Sequence, residues 1–319
     1  MIKIITVLLV CSVVINANAH VISSKKHTVK KSVVKEKTVG EKVEGLGEDI
    51  KTAVSSLSPT RKSALEHRRR HEFRFGKNPY GLAFYEPTYI IPFYYTQMPY
   101  RSVYAGSTPN NQRIDNFEFK GKLSLKMPII RNIFHTKTDF NIAYTQLLFW
   151  QFYARSQYFR ETDYSAEVQF TRMITHNWLG TLGMLHQSNG RGGQFERSWN
   201  RAFIDFTISG EHWIINARAW MLIFQSSSSD LHNRDIASYL GHGRLVLAYK
   251  IHDNEISLNL RNNVESLFTR GAVEFNWTFP IYGRVRGIFQ VFSGYGQSLI
   301  EYDHYTNSVG LGVSMSDWT

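Results

Sequence analysis

From Pro87 onward, apolar and polar residues alternate with period two through one segment after another. No stretch reaches the roughly 18 uninterrupted apolar residues that mark a helical membrane span. Residues 212–224 place Trp213, Ile215, Ala217, Ala219, Met221 and Ile223 on one face and Asn216 and Arg218 on the other. Residues 306–316 set Val309, Leu311, Val313 and Met315 against Gly310, Gly312 and Ser314. Candidate strands lie near 88–96, 114–128, 137–153, 164–174, 176–188, 198–210, 212–224, 236–250, 253–263, 268–279, 284–294 and 306–316. They are as long as a tilted bilayer crossing, or longer, and their number is even, as a closed bacterial barrel requires. A soluble β-sandwich also alternates, but its strands are usually shorter. Tight turns at Gly210-Glu211 and His252-Asp253-Asn254 alternate with longer loops near 106–113 and 225–235. The pattern predicts an all-β fold: a 12-stranded antiparallel transmembrane β-barrel of the bacterial outer membrane.

Composition fits that reading. Aromatic residues make up 14% of the chain, yet mean hydropathy is only −0.29. Alternating strands average out in this way, whereas helical membrane proteins do not. Tyr and Trp read as interfacial girdles. Residues 1–19 read as a secretory signal: Lys3, an apolar run from Ile4 to Ile15, then Ala17-Asn18-Ala19. The single cysteine, Cys11, falls inside that signal, so no disulfide or thiolate metal site is expected afterwards. Val10 argues against a lipoprotein.

Residues 20–84 read as a basic, flexible periplasmic segment. Between 20 and 78 there are 15 Lys and Arg against 7 Asp and Glu, a net +8 out of +11 for the chain. An amphipathic helix over 42–57, or a basic arm placing Arg68-Arg69-Arg70 on anionic headgroups, are the alternatives. The segment lacks interleaved aromatics and any reader motif, so no nucleic-acid partner is expected. The barrel domain is expected over 85–319.

His186-Gln187-Ser188-Asn189-Gly190-Arg191 carries the chemistry. His186 and Ser188 share a strand face, and an imidazole beside a hydroxyl is the minimum for nucleophilic acyl transfer. Their row is Trp178, Gly180, Leu182, Met184, His186 and Ser188; on the next strand Asn200 shares a row with Ala202, Ile204, Phe206 and Ile208. These are the greasier rows, which in a membrane barrel face lipid. Gln146 also lies in an apolar row, with Ile142, Tyr144, Leu148, Trp150 and Phe152. A primary amide facing lipid wants a partner, which a second subunit provides. The alternative puts that row in the lumen. The other histidines lack metal-ligand spacing. Arg218, Arg244, Arg284 and Arg286 with Asp205 and Glu274 read as a structural ion network filling the barrel.

The string from His186 to Arg191, with Arg197-Ser198-Trp199-Asn200-Arg201, resembles the outer-membrane phospholipase A family. Tyr144-Thr145-Gln146, Phe159-Arg160-Glu161-Thr162, Ile236 to Gly241 and Ser293 to Ile300 extend the likeness over about 85–319. The resemblance implies a calcium-dependent, homodimeric phospholipase of the outer membrane. It would cleave acyl esters of glycerophospholipids and lysophospholipids, with A1, A2 and lysophospholipase activity. It implies Ser188 as nucleophile, His186 as base and Asn200 as the residue orienting the ring, with Gly190 at the oxyanion. It implies Ca2+ on the Arg191 carbonyl and the neighbour's Ser156, and Gln146 at the dimer interface. The chain departs from the family at Gly192-Gly193-Gln194-Phe195-Glu196, where Ser-Asp-Pro-Thr-Ser is usual. Glu196 stands where a serine ligand is expected, and a carboxylate is itself a good calcium ligand. Two further readings compete: a non-enzymatic barrel, channel or structural, and a lipid A deacylase.

Overall fold

The structure is a computed structural model, and it describes residues 63–66, 68, 81–224, 232–283 and 285–318. The chain divides into two compact units, residues 1–62 and 63–319, and every described residue belongs to the second. The secretory signal, the proposed helix over 42–57, Arg69, Arg70 and Arg284 lie outside the described residues.

Among the described residues, thirteen strands form one antiparallel sheet. They are β1 (Ala83–Phe84), β2 (Tyr89–Thr96), β3 (Phe117–Ile133), β4 (Thr138–Trp150), β5 (Phe159–Thr175), β6 (Trp178–Ser188) and β7 (Ser198–Ser209). β8 (Trp213–Leu222), β9 (Gly243–Ile251), β10 (Asn254–Arg261), β11 (Ala272–Tyr282), β12 (Val285–Tyr295) and β13 (Tyr305–Ser314) follow. Each strand from β2 to β13 pairs with its sequence neighbour, and β13 pairs back onto β2, closing a barrel of twelve strands. β1 is a two-residue addition to β3. Closure removes the unpaired sheet edge that lipid cannot satisfy.

The alternation read from the sequence becomes the two walls of the barrel. Leu182, Met184, Ile204, Phe206, Met221, Val309 and Leu311 are exposed on the outside. Thr181, Arg201, Asp205, Asn216 and Arg218 are buried inside. The interior is held by paired charges. Arg218 bridges Asp205 at 2.9 Å and Glu167 at 3.2 Å. Arg244 bridges Glu86 at 2.7 Å, Arg286 bridges Asp317 at 2.9 Å, and Lys120 lies 3.6 Å from Glu274. Buried charge needs such pairing to be tolerated. Glu86 lies between β1 and β2. Its burial favours the neutral acid, but Arg244 and Lys122 outweigh this and hold its carboxyl well below the usual range.

Short turns gather at one end and long loops at the other. At the short-turn end, Ala64, Ile214, Val246, Ala248 and Trp318 form a small apolar cluster. Residues 63–66 and 83–84, expected in the flexible leader, therefore share the barrel's compact unit. Arg68 is half-buried there, donates to the Tyr85 carbonyl and lies 5.8 Å over the Trp318 ring.

One expected strand was overextended. Residues 236–240 form a short helix, α1 (Ile236–Leu240), and β9 begins only at Gly243. Ile236 and Leu240, one helical turn apart, bury together against Trp199 and Trp220. The Trp199 and Trp220 rings meet edge to face at 6.3 Å, and Arg201 sits 3.7 Å over Trp199. This layer backs β6 and β7 from inside the barrel, behind His186 and Asn200.

Candidate active site

β6 and β7 pair in a register that sets His186 opposite Asn200 and Ser188 opposite Ser198. Strand parity sends His186, Ser188 and Asn200 to the outer wall, where His186 is exposed and the other two are partly so. The intervening residues turn inward. There Gln187 Oε1 accepts from Trp199 Nε1 at 2.9 Å and Arg201 Nη2 at 2.7 Å. The same two strands thus carry an outward polar group and an inward layer that stiffens them.

His186 Nδ1 lies 2.8 Å from Asn200 Oδ1. The Asn200 amide nitrogen donates to the Phe224 carbonyl at 3.0 Å. A carbonyl only accepts, so the amide nitrogen must face Phe224 and the amide oxygen must face the ring. That oxygen also only accepts, so Nδ1 carries the proton. Nε2 is left with its lone pair, which is the tautomer a general base needs. Ser188 lies two residues further along the same face, about 7 Å of strand rise away. Across the β5–β6 ladder, Ser188 stands opposite Tyr164.

Gly190 follows Ser188 with φ +63°, a left-handed conformation that favours glycine. A Cβ there would lie 3.1 Å from Tyr164 Cε2. The Asn189 N–H donates to the Arg197 carbonyl at 3.1 Å. Of the two amides after Ser188, this leaves that of Gly190 for an oxyanion.

The residues expected to hold calcium fall in two places. Arg191 and Glu196 share the loop of residues 189–197, both partly exposed. Ser156 lies in the loop after β4. Its hydroxyl accepts from Asn110 Nδ2 at 3.1 Å and its N–H donates to Gln112 Oε1 at 3.1 Å. Among the described residues, no hydrogen bond joins Ser156 to the 189–197 loop, and no cluster of three His, Cys, Asp or Glu is arranged for a metal. The donors are a carboxylate, a carbonyl and a hydroxyl, all hard oxygens. That set suits Ca2+. Gln146 is on the outer wall rather than in the lumen, and it accepts a 3.4 Å hydrogen bond from the Tyr144 hydroxyl.

Two residues of the quoted motifs hold the 189–197 loop in place although sequence reasoning gave them no role. Glu161 and Asn189 are both buried, and their hydrogen bond of 2.9 Å ties the 189–197 loop to β5. Their place in the motif strings was the available signal; the contact crosses 28 residues of chain.

A closed twelve-strand barrel with an imidazole, an amide and a hydroxyl on its outer wall defines an outer-membrane β-barrel enzyme. The family model described as Phospholipase A1 matches residues 65–315, and the chain belongs to this family. By family it is a phospholipase, an ester hydrolase of the bacterial outer membrane, and the non-enzymatic reading falls away. The chain is 33% identical over 259 residues to a putative phospholipase A1 of Neisseria meningitidis, covering 74% of this chain and 66% of that protein. It is 30% identical to phospholipase A1 of Proteus vulgaris, covering 75% of this chain and 83% of that one. Among solved structures, a calcium-bound dimer of the Salmonella typhi outer membrane phospholipase superimposes with a TM-score of 0.68 at 30% identity. The match covers 76% of this chain and 94% of that one. Outer membrane phospholipase A of Escherichia coli gives a TM-score of 0.68 at 29% identity, over 75% of this chain and 100% of that one.

Proposed function

We propose that this chain hydrolyses the acyl esters of glycerophospholipids and lysophospholipids at a Ser188–His186–Asn200 triad facing the bilayer. The observation that carries the reading is the 2.8 Å His186–Asn200 contact on the outer wall, in the same row as Ser188. Ser188 Oγ attacks the ester carbonyl while His186 Nε2 takes its proton. Collapse of the tetrahedral intermediate breaks the bond to the alkoxide, which leaves with the proton from Nε2. Water then attacks the acyl-serine with His186 again acting as base, releasing the fatty acid. Asn200 keeps the ring oriented, and its Oδ1 hydrogen bond strengthens as the ring becomes imidazolium. An amide does this without placing an ionised carboxylate on a lipid-facing wall. The Gly190 amide faces the developing oxyanion.

Ca2+, when bound, supplies positive charge beside that oxyanion. The Arg191 carbonyl and the Glu196 carboxylate would hold it, joined by Ser156 of the partner subunit. This ligand set makes the homodimer the active form. Gln146, on the outer wall beside Tyr144, is the interface amide. The calcium-bound Salmonella typhi dimer supports both points. Residues 1–19 act as the export signal, which fits an outer-membrane barrel.

The test is phospholipid hydrolysis by purified protein in detergent micelles, wild type against Ser188→Ala, with calcium and with chelator. Activity requiring both Ser188 and calcium is expected. Activity that needs Ser188 but ignores chelator discards the calcium site. Activity that survives Ser188→Ala discards the triad.

A further inference from the structure

Beyond the triad, the 189–197 loop carries three groups of the proposed site: the Gly190 amide, the Arg191 carbonyl and the Glu196 carboxylate. It has no strand ladder of its own, so other contacts fix its path. Asn189, 4% exposed, makes most of them. Its Oδ1 accepts from the Arg197 N–H at 3.0 Å and the Arg191 N–H at 3.3 Å. Its Nδ2 donates to the Phe195 carbonyl at 2.8 Å and to Glu161 Oε1 at 2.9 Å. The side chain has two donors and two acceptor lone pairs, and all are used.

Glu161 anchors this staple to the barrel. The β5–β6 ladder ends at Tyr164 opposite Ser188, but β5 runs on to Phe159. Glu161 therefore stands beside the loop where the ladder has stopped. It is 1% exposed. One carboxylate oxygen takes the Asn189 amide; the other accepts from Arg191 Nε at 2.8 Å. Arg191 also donates to the Arg160 carbonyl, so both ends of its guanidinium grip β5. A single buried carboxylate thus holds residues 189 and 191, which flank Gly190.

We propose that Glu161 is a positioning residue for the calcium and oxyanion segment, acting through Asn189 and Arg191 to aim the Gly190 amide and the Arg191 carbonyl. This rests on the site reading above. A carboxylate is required because charge-assisted hydrogen bonds to Arg191 are stronger than those an amide would make. The triad itself lies on paired strands and does not depend on Glu161. Loss of Glu161 should therefore appear first as loss of calcium affinity.

The experiment titrates Ca2+ into the full-length protein in micelles by calorimetry, alongside the calcium dependence of Ser188-dependent hydrolysis. The variants are Glu161→Gln, Arg191→Gln and the double substitution. Glu161→Gln keeps the shape and an acceptor for Asn189 but removes the ion pair. It is expected to weaken calcium binding about tenfold, the scale of one charge-assisted hydrogen bond. Turnover should recover at saturating calcium. The double variant should bind calcium no worse than the weaker single, because both act through one pair. Wild-type calcium affinity in Glu161→Gln overturns the proposal, as does a loss of barrel stability with affinity intact. If Glu161→Gln fails to fold, Arg191→Gln carries the same readout from a side chain 26% exposed at the rim. A wild-type protein that binds no calcium sinks the site reading itself. Normal calcium binding unaffected by either substitution sinks only the role of Glu161.

Discussion

Replacing Asn200 with alanine removes the amide that holds the His186 ring on the outer wall. Asn200 Oδ1 lies 2.8 Å from His186 Nδ1, and Asn200 Nδ2 donates to the Phe224 carbonyl at 3.0 Å. The ground-state loss is small, because the neutral ring makes only a neutral hydrogen bond, which contributes about 0.5–1.5 kcal/mol. The loss in the transition state is larger, because the ring then carries a proton on both nitrogens. A hydrogen bond to a charged group contributes about 1.5–3 kcal/mol. At 1.36 kcal/mol per decade, that is a fall of about 10- to 150-fold in kcat. Loss of the tautomer preference adds little, since both neutral forms then coexist. The fold should not suffer: Asn200 is only partly buried and removing it leaves no buried donor unpaired. The assay is micellar kcat at saturating calcium, with heat-modifiable gel mobility as the check on folding. A folded Asn200→Ala protein within twofold of wild type, beside an inactive Ser188→Ala, would refute the orienting role.

Gly190→Ala forces φ +63° onto a residue with a Cβ, and places that Cβ 3.1 Å from Tyr164 Cε2. A loss of about 1–2 kcal/mol in loop order is expected, read as a fall in kcat of about tenfold or more with barrel stability unchanged; an undiminished kcat counts against the Gly190 amide as oxyanion donor. Glu86 gives a pH prediction. Burial favours its neutral acid, but Arg244 and Lys122 outweigh this and depress its folded carboxyl, so it stabilises the barrel above the ordinary carboxylate range and that contribution is lost as pH falls through the depressed value. Denaturant midpoints across an acid series should fall more steeply for wild type than for Glu86→Gln, and parallel acid limbs would contradict the assignment.

The barrel was legible because strand periodicity is a local property. Side chains alternate at every residue whatever lies far away, so the lipid-facing rows containing His186, Ser188 and Asn200 follow from spacing alone. Twelve strands come from the same rule, as does the row Gln146 shares with Ile142 and Tyr144; the structure decides that this row faces outward. Where tertiary packing competes with periodicity, the reading failed. Ile236 to Leu240 is mostly apolar and reads as the start of a strand over 236–250. In the fold it is a helical turn because Ile236 and Leu240 cap the Trp199–Trp220 layer. Ala64 and Leu65 sit in a basic, leader-like text, yet they are buried in the barrel's unit.

The sequence by itself determined which residues face lipid and which chemistry they bring. Only the tertiary structure decided that His186 stands opposite Asn200, since that register depends on how the 189–197 loop closes. It alone revealed Glu161, whose partners Asn189 and Arg191 lie 28 and 30 residues away. The physical reason is range: side-chain direction is set by φ and ψ at each residue, whereas the pairing of a buried carboxylate is set by which strands the closed barrel brings together.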